Sequence, residues 1–316
     1  MSATLHIPGL APWLSEADYH ADRLTPVPSL SSSLARTLLE RSPRHAWAQH
    51  PRLNPDHQPR NSEAFDIGKA CHTLVLGRGA GVHVIDAEDW RGKDARAERD
   101  AARAVRVTPM LAHQYAAARV MAEAVRSRLK RVGMSIEDGC TEIPAFAEVD
   151  GVLCRAMIDH APSAPRLPLM DLKTCEDASP EACMRAVTGY GYDVQARWYQ
   201  EVWEAATGEA RRLRFVFVEK APPHEISIIE LHSDADHEAD WSADAASKCA
   251  EARRIWRECL TAGEWPGYPP RVAVLGAPAW HRARWADRET GRPVIEKPSA
   301  DALRAAREFQ APEGVK

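Results

Sequence analysis

Asp159, Asp171 and Lys173 are the residues of this chain whose types and spacing could do chemistry. Asp171 and Lys173 occur in Met170-Asp171-Leu172-Lys173-Thr174, with Asp159 twelve residues upstream of Asp171. Two carboxylates at that separation could hold one metal ion with an ammonium beside it. That equipment suits metal-assisted hydrolysis of a phosphodiester. The apolar run from Leu167 to Met170 reads as a strand that ends on these polar residues. Strand alternation then puts Asp171 and Lys173 on one face and Leu172 on the other. A short return from a preceding strand would lay Asp159 alongside. The triplet acid-x-lysine is expected about once by chance in such a chain, and a solvated strand end is the plain alternative. Lysine is scarce, however, at eight of the 41 basic residues. Arginine stays protonated and forks, whereas lysine is a compact charge that can approach a water beside a metal.

The elements that must position these residues follow from periodicity and turn chemistry. The first thirty residues read as irregular, with prolines at 8, 12, 26 and 28. Ser31-Ser32-Ser33 can cap a helix that carries Leu34, Leu38 and Leu39. His50 to Ser62 reads as a polar loop. Ala64 to Leu76 reads as a helix burying Phe65, Ile67, Ala70, Leu74 and Val75, and Ala95 to Lys130 as mostly helical with a break at Pro109. The period then changes. Glu142–Val149 and Val152–Ile158 read as strands joined by Asp150-Gly151, a tight-hairpin signal. Leu167–Lys173 is the third strand. Ser179-Pro180 opens a long helix to about Ala206. Arg212–Glu219 and Glu225–Leu231 follow as strands around Ala221-Pro222-Pro223-His224, and a last helix runs from about Asp234 to Leu260. The expected core is strand–strand–strand–helix–strand–strand, without internal repeats.

On the long helix Tyr192, Gln195 and Tyr199 lie three and four apart and share a face. Turned toward Asp171, Gln195 could orient a phosphate or the attacking water, and Tyr199 could pack beneath it or bond a phosphate oxygen. An amphipathic helix with aromatics in the core explains the same pattern. His72, in Gly68-Lys69-Ala70-Cys71-His72, reads by itself as an ordinary helical histidine. Glu142 equally suits an exposed strand end. The free amides at the start of the Ser31–Ser33 helix form a ready phosphate site, or are plainly capped.

The bulk numbers bound the function classes. A chain of 316 residues with 45% hydrophobic and 27% charged content can bury a sizeable core. A net charge of −4 argues against coating nucleic acid by global charge. Locally, Arg91 to Arg131 holds eleven basic and four acidic residues, and His224 to Glu264 holds four basic and ten acidic. A basic face on a near-neutral protein suits one polyanion at one place. The first ten residues lack the pattern of a signal peptide and no run suits a membrane span, so a cytoplasmic protein is expected. Seven cysteines with no C-x-x-C pair disfavour disulfides or a zinc site.

Together these parts resemble the RecE-type exodeoxyribonucleases (exodeoxyribonuclease VIII), in the RecB-like branch of the PD-(D/E)XK superfamily. The resemblance runs from about Tyr19 to Trp285. It rests on Leu30-Ser31-Ser32-Ser33 with Ser42-Pro43, Gly68-x-Ala-x-His72-x-Leu74, Glu142, Cys154-Arg155-x-x-x-Asp159, Asp171-Leu172-Lys173-Thr174 and Tyr192-x-x-Gln195-x-x-x-Tyr199. Trp265-Pro266-Gly267-Tyr268 and Pro278-Ala279-Trp280 fit the way such proteins end. The family usually carries Arg-x-Asp at its first aspartate. Here Met157 and Ile158 precede Asp159 and Arg155 lies further back, which puts in doubt a DNA contact by an adjacent arginine.

The resemblance implies an α/β restriction-endonuclease-like fold, a mixed central sheet flanked by helices after an N-terminal helical region. It implies one nuclease domain over 1–316: a helical part (1–135) with His72, an αβ catalytic core (136–262) and a peripheral segment (263–316) with a short helix near Ala300 to Phe309. His72, Asp159, Asp171 and the Leu172 carbonyl would be metal ligands and Lys173 the catalytic lysine. Gln195 and Tyr199 would join the catalytic set, with Glu142 as an accessory. Separately, the free amides at the start of the Ser31, Ser32 and Ser33 helix, with a nearby arginine, are expected to hold a terminal 5′-phosphate. The implied cofactor is Mg²⁺, replaceable by Mn²⁺, with no iron–sulfur cluster. The implied activity is 5′-to-3′ digestion of duplex DNA ends in phage-type recombination or repair, by a ring-like homo-oligomer beside a single-strand annealing recombinase. The alternatives are another RecB-like nuclease, of CRISPR-adaptation or helicase-coupled type, and a relative that binds DNA without cutting it.

Overall fold

The computed structural model describes residues 7–58, 63–79, 81–233 and 240–283. The chain divides into two units, Met1–Tyr268 and Pro269–Lys316. The second is described over 269–283, an irregular stretch that ends in a helical turn at 279–283. All that follows concerns the first unit.

Its elements run in chain order as β1 (Gly9–Leu10), α1 (Glu16–Ala21), β2 (Leu30–Ser31), α2 (Ser32–Glu40), α3 (Pro43–Gln49), α4 (Glu63–Leu76), β3 (Val82–Ile85), α5 (Lys93–Ala104), β4 (Thr108–Leu111) and α6 (Ala112–Arg131). The second half contributes β5 (Cys140–Val149), β6 (Val152–Ala161), β7 (Leu169–Cys175), α7 (Pro180–Tyr190), α8 (Tyr192–Thr207), β8 (Leu213–Glu219), β9 (Ile226–Glu230) and α9 (Ser242–Ala262).

A seven-stranded mixed sheet is ordered β1-β5-β6-β7-β8-β9, with β2 added parallel to β6. The β5–β6 hairpin turns on Asp150 and Gly151, whose φ of 50° and 69° are the paired positive values of the tight turn the sequence signals. β7 and β8 are parallel, joined through α7 and α8, which matches the expected strand–helix–strand core. Alternation then sorts the core into two layers. Phe215 and Phe217 pack with Trp198 of α8, Leu34 of α2 and Trp256 of α9. Met170, Leu172, Val216 and Val218 point the other way, against Cys71 and Val75 of α4 and Met121 and Val125 of α6. Each such fully buried side chain contributes about 1.5–3 kcal/mol, so both helical layers are held tightly to the strands that carry the acids. Trp265 packs edge-on against Trp256 with centroids 5.0 Å apart, and the Arg44 amide donates to the Pro266 carbonyl at 3.0 Å. The end of α9 is thereby strapped to α3.

Several expectations need correction. The long helix after Ser179 is two helices, because Gly191 adopts a left-handed φ of 63° between Tyr190 and Tyr192. Its Cβ, were it present, would stand 3.0 Å from Arg36 Cδ, tighter than ordinary contact, and the left-handed φ disfavours a side chain in any case. Pro109 does not merely interrupt a helix; it lies in β4, which pairs in parallel with β3 as a small separate sheet. The first thirty residues contain α1, capped by the Ser15 hydroxyl on the Asp18 amide. Strand β7 starts at Leu169, with Leu167 exposed. Helix α9 starts at Ser242, and residues 234–239 lie outside the described set, as do the Phe65 side chain and the Ala300–Phe309 helix.

Candidate active site

The site forms where the sheet comes apart. β6 and β7 pair at His160↔Met170, and one residue further along each strand stand Asp159 and Asp171. There the ladder changes partner: the Leu172 amide donates to Asp159 Oδ2 at 2.7 Å, so a carboxylate takes the place of a strand carbonyl. Asp171 is 2% and Asp159 9% exposed.

His72 arrives from α4, on the opposite layer from Asp171. Its Nε2 lies 2.7 Å from the Leu172 carbonyl, which can only accept, so Nε2 carries the hydrogen. Its Nδ1 lies 3.6 Å from Asp159 Oδ2. Helix α4 comes this close because Gly68, one turn before His72, faces Thr174 without a side chain.

Helix α8 closes the other side. Gln195 Nε2 donates to Asp171 Oδ2 at 2.7 Å, and Tyr199 lies buried one turn further along α8. Gln195 therefore fixes Asp171. Burial drives the Tyr199 pKa well above its usual value, so it acts as a neutral hydroxyl. Lys173 Nζ lies 2.5 Å from Asp171 Oδ1 and 4.8 Å from the centre of the Tyr192 ring.

Electrostatics follow from these distances. Burial, reinforced by the Asp171 charge, pushes Asp159 up to about 6 despite His72 and Lys173. For Lys173 burial alone would lower the pKa, but Asp171, Tyr192 and Asp159 outweigh it and raise it, keeping the ammonium. Glu142 stands opposite Asp159, between the pairs Thr141↔His160 and Ile143↔Ile158, with a left-handed φ of 47°. Burial, then the Glu16 and Asp159 charges, lift it to about 7.

The sequence-derived residues His72, Asp159, Asp171, Lys173, Gln195 and Tyr199 are thus brought together with the Leu172 carbonyl, and Glu142 adjoins them. The Ser31 hydroxyl pairs instead with that of Ser33 at 3.1 Å, on a strand registered with Arg155. Glu16 is a neighbour that sequence reasoning missed, although the Ser15-x-x-Asp18 capping pattern around it is a local signal that could have found α1. Arg155 is 4% exposed and spent inside the protein. Its Nη1 lies 2.5 Å from Asp22 Oδ1 and donates to Ser29 Oγ at 2.7 Å, and its guanidinium sits 5.4 Å from the Tyr19 ring centre. It braces β6 against the N-terminal segment and is not available to DNA.

The donor set fits a hard divalent cation. Two carboxylates, one imidazole and one carbonyl converge, and Asp171 Oδ1 is buried without a hydrogen bond, held only by the Lys173 charge. Among the described residues no three His, Cys, Asp or Glu side chains already stand together as a metal-binding group. Among the described residues no helix is long and apolar enough to cross a membrane.

The chain is similar to a solved structure described as "Putative exonuclease" from Eubacterium rectale, at 17% identity and a TM-score of 0.52, over 83% of this chain and 92% of that one. That likeness concerns the fold. A second, SSO0001, matches at 12% identity over 67% of this chain and 97% of that one, with a TM-score of 0.27 too low to carry an argument. No curated protein matches significantly. The family model for a PDDEXK-like domain of unknown function (DUF3799) matches residues 31–275, a span that contains every residue of the cluster except Glu16, and the chain belongs to that family.

Proposed function

We propose that this protein is a metal-dependent nuclease that digests duplex DNA from its ends. The observation that carries the reading is the meeting of Asp159, Asp171, the Leu172 carbonyl and Lys173 at the split between β6 and β7, in a chain of the PDDEXK-like family. His72, Asp159, Asp171 and the Leu172 carbonyl would hold Mg²⁺, or Mn²⁺ in its place. When bound, the metal supplies positive charge for the phosphate oxygens and makes water a stronger acid. The chain's own residues do the rest. Gln195 keeps Asp171 aimed at the split. Lys173, kept cationic by Asp171, orients water and stabilises charge as the phosphate becomes pentacoordinate. Glu142, held near neutrality in its pKa, stands where a proton could be taken up.

The finer reading follows the resemblance to the RecE-type enzymes in 5′-to-3′ polarity, ring-like homo-oligomers, and work beside an annealing recombinase in the cytoplasm, with residues 1–316 serving one nuclease domain, and the helix start at Ser31, Ser32 and Ser33 would hold a terminal 5′-phosphate. The deciding experiment is Mg²⁺-dependent digestion of linear against covalently closed circular duplex DNA. Loss of the linear form alone supports an exonuclease, and equal nicking of the circle would make it an endonuclease. Retained cleavage in purified Lys173→Ala would remove the proposed site altogether.

A further inference from the structure

Tyr190 ends α7 with 58% of its surface exposed. A single exposed aromatic is ordinary on a protein surface. What sets this one apart is where it is anchored and what it continues. Its ring centre lies 5.7 Å from that of Tyr192, which lies 4.8 Å from the Lys173 ammonium and stacks on Phe215 at 5.4 Å. An aromatic ladder thus runs from the core to the charged lysine and on to open solvent. Arg36 pins the outer rung: its guanidinium sits 6.0 Å from the Tyr190 ring centre, and its Nη2 donates to the Gly189 carbonyl at 3.0 Å. Glu40 Oε1, 2.8 Å from Arg36 Nε, fixes the arginine in turn. The left-handed Gly191, packed against the Arg36 stem, sets the direction in which Tyr190 leaves the helix.

A flat, exposed ring held still loses little freedom when another ring lies on it. We infer that Tyr190 is a stacking platform for a nucleobase of the strand whose phosphate lies at Lys173. This rests on the nuclease reading above and adds the contact that would hold an unpaired base at a frayed end. Every base offers a π face, so the platform would tolerate any sequence.

The test uses the full-length protein and linear duplexes carrying 2-aminopurine at successive terminal positions, without added divalent metal so that the DNA stays intact. Stacking quenches the probe at one position in the wild type and in Tyr190→Phe, and Tyr190→Leu relieves the quench. With Mg²⁺, Tyr190→Leu raises the KM for cleavage by about 5- to 150-fold at unchanged kcat, the worth of one stacked base. An abasic site at the reporting position imposes the same loss on the wild type and no further loss on Tyr190→Leu. Wild-type KM and quenching in Tyr190→Leu would overturn the platform alone. So would an abasic penalty equal in both proteins. A wild type that cuts no linear DNA with Mg²⁺ would overturn the nuclease reading and the platform with it. Because Tyr190 is exposed, the melting temperature of Tyr190→Leu should match the wild type, and Tyr190→Phe retains the ring should it not.

Discussion

Gly68→Ala should slow the proposed cleavage while leaving the fold about as stable as before, a combination that a merely structural glycine would not give. An alanine Cβ at position 68 would stand 3.3 Å from Thr174 Oγ1, just inside the 3.4–4 Å of ordinary contact. Thr174 turns part-way and α4 gives by the remaining few tenths of an ångström. An off-rotamer threonine costs about 0.5–1.5 kcal/mol, and alanine returns about 1 kcal/mol of helix propensity, so the net stability change is within about 1 kcal/mol. Activity has no such compensation. His72 sits one turn further along α4, 2.7 Å from the Leu172 carbonyl, and moves with the helix. A misplacement of about 1 Å can cost ~10²-fold, so a few tenths predict a loss of roughly 3- to 5-fold. The assay pairs thermal melting with single-turnover digestion of linear duplex for wild type, Gly68→Ala, Thr174→Ala and the double variant. Thr174→Ala removes the obstructing hydroxyl, so the double variant should recover the wild-type rate. A slow Gly68→Ala that Thr174→Ala fails to rescue would refute the contact as the cause. A Gly68→Ala with undiminished rate would refute the whole chain of reasoning.

Lys173→Ala should lower the cleavage rate by ~10²–10⁴ while DNA binding persists in a filter-binding assay; a loss below tenfold would remove Lys173 from the chemistry. Raising free Mg²⁺ to 100 times its Kd should stabilise the wild type by about 2.7 kcal/mol in thermal melts and Asp171→Ala hardly at all; equal shifts would place the metal elsewhere. Burial would raise the pKa of Asp22, but the His50 hydrogen bond, the Arg155 charge and the Ser29 bonds outweigh it and hold the group at about 2. A depressed carboxyl pKa stabilises the fold above its unfolded value and loses that effect as pH falls through the folded value. Asp22→Asn should therefore cost about 2–3 kcal/mol in urea titrations at pH 7, shrinking between pH 4 and pH 2. A penalty independent of pH would contradict it.

What could be read from the sequence was what local chemistry writes. Asp150-Gly151 declares its hairpin because only a few residues accept two consecutive positive φ values. Asp171 and Lys173 share a face by alternation, and Gln195 and Tyr199 by helical spacing, so that part of the cluster was legible once the strand and helix were placed. The break at Gly191 was not, because apolar residues continue at helical spacing through it and the obstructing Arg36 stem belongs to α2. Pro109 looked like a helix breaker because β3, its partner, is only four residues long. The fate of Arg155 was hidden for a similar reason. Its partners Asp22 and Ser29 come from a segment that declares no periodicity, and only the folded chain shows that the arginine is already engaged.

The carboxylate of Asp159 serves two masters at the split in the sheet, for the same Oδ2 that lies near His72 also satisfies the Leu172 amide. The two acids are consequently unequal in what their loss would do. Removing Asp171 strands the Lys173 ammonium and the Gln195 amide but no backbone group, and lost together with Lys173 it leaves no buried charge unpaired. Removing Asp159 strands a buried amide, at about 1–3 kcal/mol. On the proposed function, a descendant of this chain that gave up cutting DNA could lose Asp171 and Lys173 together, as a pair, but would be held at Asp159 by its backbone. A surviving first aspartate is therefore poor testimony that such a protein still works, and the second aspartate with its lysine is the better witness.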